Sequence, residues 1–597
     1  MSKGVSTSKK INIELKDKLH LLLISYFNTS LVLLGSDLFG YSIEDIEQTV
    51  GASGSLSFSS ILIFLLVLTP LLIGLYFLPK KVIVPKFVAI LLPLVSLILF
   101  FIPVSKSLTV PNLESDFANS IVTNKSAHFY REAESYFFDA GYDVDIYAGN
   151  YLVGTGSLDN LAGNTSRNYT DPAFPFLHKT EKKDVLSPFF EPKSKAPNIV
   201  FILVEGLGRA FTNEGAYLGN FTPFLDSLSQ KSLYWKNFLS NGGRTFAVLP
   251  SLLGSLPFAE NGFLALKDKM PKELSLLNLL ENYGYETSFF YGGDSSFDAM
   301  NGYLQKNGTN NIYDETTFPS RYKKLPARTN FSWGYGDQEL YDFYLKKQKE
   351  DTLAPPRLDI LLTLTTHSPF LVPESDKYDR MFEKRMNDIG FKVAEKNTHK
   401  NYKDQYATIL YADEALKNLF EKYKQRADFD NTIFVITGDH RIPEIPMSTK
   451  IDRYHVPFII YSPLLKRSAE IASISSHFDV APSLLNYLNT NYDLKMPEET
   501  TFVGGGLDTV RAFRNIHQIP LKQTKTDLVD FVMDTYHLNK DDLLEIDRNM
   551  GENLIDNPDK KAQLKAAFQA FKRRNSEFID GTALIPDSIY TQFSIKN

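Results

Sequence analysis

The stretch Asn198-Ile-Val-Phe-Ile-Leu-Val204, closed by Glu205-Gly206, decides the fold. It is apolar without alternation, rich in β-branched residues and stopped by a turn pair. That is how a strand buried on both faces of a parallel sheet reads. The same reading applies to 286–291 (ETSFFY), 358–364 (LDILLTL), 431–437 (NTIFVIT) and 456–461 (VPFIIY). Amphipathic stretches at 223–232, 273–283, 337–347, 402–426 and 480–488 lie between them and read as helices. Strands alternating with helices predict an α/β fold, an αβα sandwich around a mostly parallel sheet.

In open α/β sheets, ligands bind beyond the carboxyl ends of the strands. The run 198–204 ends in Glu205, the run 358–364 leads to His367-Ser368-Pro369, and the run 431–437 leads to Asp439-His440. Three strands thus deliver carboxylate and imidazole groups to one edge. Glu205, Asp439 and His440 form an oxygen-and-nitrogen set suited to one divalent metal, Zn²⁺ or Mn²⁺, with Mg²⁺ also compatible. The segment Asn241-Gly242-Gly243-Arg244-Thr245 precedes an amphipathic run at 246–256. Its glycines permit close approach to a ligand, and Thr245 sits near a helix amino terminus, where anions are favoured. A threonine hydroxyl there is either a nucleophile activated by a neighbouring metal or base, or simply a helix cap.

Working outward, the first 104 residues differ from the rest. Apolar runs at 19–39, 58–78 and 87–104 are each long enough to cross a bilayer core of roughly 30 Å. Lys3, Lys9, Lys10, Lys16 and Lys18 precede the first run, and Lys80, Lys81 and Lys86 separate the second from the third. The intervening loop, 40–57, carries Glu44, Asp45 and Glu47 and no Lys or Arg. The positive-inside rule places the amino terminus in the cytoplasm and everything after residue 104 outside. The expected organisation is a transmembrane region (1–104), a stalk (105–196) with one helix near 112–138, a catalytic domain (197–500), and a carboxy-terminal subdomain (501–597) of helical pattern that caps and completes it.

Composition narrows the chemistry. The 597 residues contain no cysteine, which excludes disulfide frameworks, thiolate metal sites and cysteine nucleophiles. With 64 Lys+Arg against 70 Asp+Glu there is no basic excess, and no nucleic-acid partner is expected.

The ordered set LVEG (203–206), NGGRT (241–245), TTHSP (365–369), TGDH (437–440), RYHVPFIIYSP (453–463) and SHFDVAPSLL (476–485) resembles the sulfatase-like branch of the alkaline phosphatase superfamily. Within it the likeness is greatest to the lipoteichoic acid synthase and phosphoglycerol transferase group, with phosphoethanolamine transferases as cousins. The resemblance implies a metal site of Glu205, Thr245, Asp439 and His440, with Thr245 the nucleophile. It implies that His367 contacts the transferred phosphate and serves the leaving group, that His455 and Trp333 line the substrate site, and that Arg244 pairs with phosphate. The implied activity moves a phosphoglycerol or phosphoethanolamine head group from a membrane phospholipid, through a phosphothreonine, to a glycan, lipid or polymer acceptor. The implied place is the bacterial cytoplasmic (inner) membrane, multi-pass, with the catalytic domain extracytoplasmic or periplasmic. The same site would serve a hydrolase passing the group to water, and the same fold a non-catalytic envelope subunit. The sequence names no protein partner.

Overall fold

The computed structural model describes residues 116–138, 169–327, 332–348, 354–578 and 583–594, with Arg167 and parts of 20–48. The expected spans at 58–78 and 87–104 lie outside the described residues, and 19–39 is described only in part. Among the described residues no helix is long and apolar enough to cross a membrane.

A nine-stranded sheet organises the chain. Its strands are β1 (Asn198–Val204), β2 (Leu233–Leu239), β3 (Glu286–Tyr291), β4 (Asn311–Tyr313), β5 (Arg357–Leu362), β6 (Thr432–Gly438), β7 (His455–Tyr461), β8 (Ala469–Ile471) and β9 (Ser475–Ser476). The order is β9-β2-β7-β6-β1-β5-β3-β4, with β8 also on β2. β1 lies parallel to both β5 and β6. β7 runs antiparallel to both its neighbours, so the sheet is mixed. β2, whose run is interrupted by Lys236-Asn237, is a strand beyond those the apolar runs predict.

Side-chain alternation along β1 feeds two cores. Ile199, Phe201 and Leu203 pack with the helices α1 (Val248–Gly254) and α5 (Val480–Tyr492) on one face. Val200, Ile202 and Val204 pack with α2 (Asp337–Lys347), α3 (Ser375–Ile389) and α4 (Lys403–Tyr423) on the other. This is the expected αβα sandwich around a mostly parallel sheet, in which only the two pairings of β7 are antiparallel among the described strands.

Three expectations are corrected. Residues 169–196 are not a free stalk: Phe176, Leu177, Leu186 and Phe190 are buried in the first core, and His178–Lys179 pairs with Glu499–Thr500. Their apolar side chains are worth more against α5 than in water. Near 112–138 two helices, Asp116–Val122 and Lys125–Phe138, replace the single one expected. The carboxy-terminal part is not a helical cap. It is a five-stranded antiparallel sheet running from Gln518–Leu521 to Glu552–Leu554, followed by the helix Pro558–Glu577. Phe531, Met533 and Leu538 of that sheet share a core with Phe246 and Phe568. The loop after Arg244 is thereby clamped between the two sheets.

Candidate active site

Register brings the carboxylates together. Val204 pairs with Gly438, so Glu205 and Asp439 leave adjacent strand ends side by side. Position 438 requires glycine, because a Cβ there would lie 2.1 Å from the Leu207 carbonyl oxygen. The main-chain N–H groups of Gly206 and His440 each donate to Asp439 Oδ1 at 2.8 Å. Asp439 Oδ2, fully buried, has no hydrogen-bond partner among the described residues.

His440 Nδ1 lies 3.0 Å from the Arg441 carbonyl, so in the neutral ring that nitrogen carries the hydrogen and Nε2 carries a lone pair. Nε2 points at Glu205 Oε1 (3.3 Å) and Asp439 Oδ2 (3.4 Å). A lone pair facing two carboxylate oxygens in a buried site is repulsive unless positive charge sits between them. Without a cation a proton on Nε2 supplies that charge: against the lowering effect of burial, the Asp439 and Glu205 carboxylates hold the His440 imidazole up at about 9. Burial, then Asp439, push the Glu205 carboxyl above the usual carboxylate range.

Thr245 completes the group. It opens the short 3-10 turn Thr245–Ala247 that leads into α1. Its hydroxyl donates to Glu205 Oε2 at 3.0 Å and lies 3.4 Å from His440 Nε2. The approach of this loop depends on Gly243, whose absent Cβ would sit 2.6 Å from both Arg453 Cδ and the Gln523 carbonyl oxygen. The ligand atoms of Glu205, Asp439 and His440 all lie within 4.8 Å of one another. Two carboxylates, an imidazole and a hydroxyl around an orphaned buried oxygen fit one divalent cation.

The remaining predicted residues divide. The rings of His367 and Trp333 lie 4.3 Å apart, and the Trp333 indole N–H donates to the Ser368 carbonyl at 2.7 Å. Burial pushes the His367 imidazole down to about 4, so it is neutral at physiological pH. Arg244 stands beside Thr245 as its place in the sequence requires, and its guanidinium meets Asp37 at 3.5 Å. His455 is not gathered into the group: its Nε2 is tied to the Lys236 carbonyl at 2.7 Å, on the main chain of β2. Burial, then Arg209, hold that imidazole low, at about 3.

Sequence reading missed three contributors. Asp37 lay hidden inside an apolar run. Arg441, fully buried, donates to the carbonyls of Ile442, Ile445 and Pro446 and pairs with Asp452 at 3.2 Å, which shapes the loop after His440. The Thr366 hydroxyl bonds the Glu205 carbonyl and joins the ends of β1 and β5. The threonine pair before His367 was the signal for the last of these.

Residues 197–490 match the Sulfatase family model. The chain is 24% identical over 318 residues to the lipoteichoic acid synthase-like YvgJ of Bacillus subtilis, covering 49% of this chain and 48% of that one. It is 22% identical over 307 residues to phosphoglycerol transferase I of Citrobacter koseri, covering 48% of this chain and 37% of that one. The matched stretch thus spans less than half the length of these curated relatives. Among solved structures, an alkaline phosphatase superfamily protein from Vibrio parahaemolyticus superimposes with a TM-score of 0.51 at 20% identity, over 74% of this chain and 98% of that one. That likeness shows the fold.

Proposed function

We propose that the sulfatase-family domain at residues 197–490 is the catalytic part of a membrane-anchored phosphotransferase. It takes a phosphoglycerol or phosphoethanolamine head group from a phospholipid and passes it to an envelope acceptor, a glycan, lipid or polymer, outside the cytoplasmic membrane. One observation carries this reading: the Thr245 hydroxyl stands 3.0 Å from Glu205 and 3.4 Å from His440, inside the cluster that Asp439 completes. A hydroxyl placed there has a route for its proton and a place for the developing charge.

In the first half-reaction the Thr245 oxygen forms a bond to phosphorus and the bond from phosphorus to the diacylglycerol oxygen breaks. The proton lost by Thr245 ends on that leaving oxygen. In the second, an acceptor hydroxyl attacks the phosphothreonine and Thr245 regains a proton. Glu205, Asp439, His440 and Thr245 would hold one divalent ion, Mn²⁺, Zn²⁺ or Mg²⁺. When bound, it supplies Lewis-acid stabilisation of the phosphoryl oxygens and lowers the pKa of the hydroxyl.

His367 suits the second half. Its Nδ1 lies 3.1 Å from the Ser368 carbonyl, and with the hydrogen there Nε2 is free to accept a proton from the incoming hydroxyl. Trp333 packs on the same ring and holds its orientation.

The test is intact mass of the full-length chain after incubation with Mn²⁺ and vesicles of phosphatidylglycerol or phosphatidylethanolamine. The expected result is a head-group-phosphate adduct that maps to Thr245 and is discharged by an acceptor. An unmodified chain with either lipid would overturn the proposal.

A further inference from the structure

Residues 36–42, with 45, 46 and 48, precede the sulfatase-family domain by a long stretch of chain, yet Asp37 among them meets Arg244, the neighbour of Thr245. Ser36–Gly40 forms a 3-10 helix, and Phe39 rests on Phe129, Tyr136 and Phe137 of the helix Lys125–Phe138. The Ser36 hydroxyl lies 2.8 Å from that of Thr526. Gly40 faces Lys525 so closely that a Cβ would come within 2.9 Å of it. Lys525 lies 4.1 Å above the Tyr41 ring and pairs with Asp298 at 2.6 Å, while the Asp298 N–H donates to Asp45 at 3.3 Å. Gln48 reaches Asp294 at 3.5 Å and lines, with Tyr291 and Trp333, a cavity of about 100 Å³. Trp333 in turn packs on His367, so the segment is continuous with the catalytic centre.

Asp37 is the functional end of this contact. Its side chain is only 5% exposed, and Oδ1 accepts from the Gly35 N–H, which leaves Oδ2 for the Arg244 guanidinium at 3.5 Å. The backbone of Arg244 is extended, so its side chain projects from the loop and needs an outside partner to fix it. Arg244 Nε is buried with no hydrogen-bond partner among the described residues, which leaves donor capacity for an anionic oxygen next to Thr245.

We infer that residues 36–42, 45 and 48 are a built wall of the catalytic site, and that Asp37 is a positioning residue that aims Arg244 at the phosphate group of the donor. The inference rests on the transferase reading above for what Arg244 binds, but not for where the segment docks. Catalysis by the sulfatase-family domain then depends on a residue supplied by the amino-terminal part of the chain.

Two experiments on the full-length protein test it. The chain has no native cysteine, so the pair Ser36→Cys/Thr526→Cys reports docking without background. Mild oxidation is expected to close a disulfide between them. Reduced, alkylatable thiols at both positions would overturn the wall. The second is a double-mutant cycle on adduct formation from equal-part phosphatidylglycerol and phosphatidylethanolamine vesicles. Asp37→Asn and Arg244→Ala are each expected to slow the rate about 10–100-fold, the double variant no more than the worse single, and Asp37→Glu to recover part of it. Additive losses, or an Asp37→Asn rate equal to wild type, would overturn the positioning role. A closed disulfide in the Ser36→Cys/Thr526→Cys chain, with no adduct on the wild-type chain, would instead sink the transferase reading and leave the docking intact.

Discussion

Thr245 Oγ1 lies 3.0 Å from Glu205 Oε2, although the two residues leave different strands of the sheet by different loops. The hydroxyl has a buried carboxylate to donate to and an imidazole nitrogen beyond it, so its environment is specialised for oxygen chemistry. Thr245→Ala should reduce adduct formation and head-group transfer by about 10⁴-fold or more. Thr245 is only half-buried, so the melting temperature should stay within a few degrees. Thr245→Ser keeps the nucleophile and should retain measurable transfer. The measurement is adduct yield by intact mass beside thermal unfolding of the same samples.

Asp439 Oδ2 is a buried carboxylate oxygen without a hydrogen-bond partner among the described residues, and a cation resolves that cost. Mn²⁺ at about 100 times its Kd should stabilise the wild type by about 2.7 kcal/mol, and chelator should remove the gain. Asp439→Asn should abolish the metal-dependent gain, because it removes the charge that the cation meets. Differential scanning calorimetry with chelator and with Mn²⁺ gives all four values. A metal-dependent gain that survives in Asp439→Asn would refute this account of the site.

Trp333 and His367 form the other half of the centre. The indole N–H fixes the Ser368 carbonyl, to which His367 Nδ1 also points, so one carbonyl sets both rings. Trp333→Phe keeps the stacking face and loses that bond, whereas Trp333→Ala loses both. Transfer should fall about tenfold in the first and about a hundredfold in the second, if the loss is one of orientation. Steady-state rates against donor concentration check it, and equal rates for the two variants would show that the hydrogen bond, and not the ring face, carries the effect.

What could be read beforehand follows from how each segment earns its structure. Asn198–Val204 and Thr432–Gly438 are buried on both faces, so their sequences are continuously apolar and their last residues point to the site. β2 escaped because Asn237, though buried, is polar: its amide is satisfied by the Ala472 carbonyl at 2.8 Å, a contact no local pattern shows. The carboxy-terminal sheet escaped because its short strands carry Asp530, His537 and Glu552 inward. His537 bridges Asp530 at 2.9 Å and also meets Glu552, so charges that read as a solvated surface are a buried network. The metal-type ligands were legible because they follow strand ends. The Asp37–Arg244 pair was not, because it joins segments far apart in the chain, and Asp37 sits within an apolar run that reads as a membrane span.

Glu273 offers a test of the fold that is independent of the chemistry. Burial, partly offset by Asn307 and Lys306, pushes its carboxyl up to about 8. In the unfolded chain the group titrates near its ordinary value of 4.5. Folded-state pKa above unfolded means that its contribution to stability is full below pH 4.5 and is lost as pH rises through about 8. Across that window the unfolded chain is ionised and the native chain holds the proton. Glu273→Gln stays neutral throughout and removes this slope, whatever constant offset its amide introduces. The stability of Glu273→Gln relative to wild type should therefore increase by about 2–4 kcal/mol between pH 5 and pH 8. Denaturant unfolding at several pH values gives the difference. A difference that does not change with pH would mean that Glu273 is ionised in the native protein and that the pocket between Gly254 and Asn307 admits water.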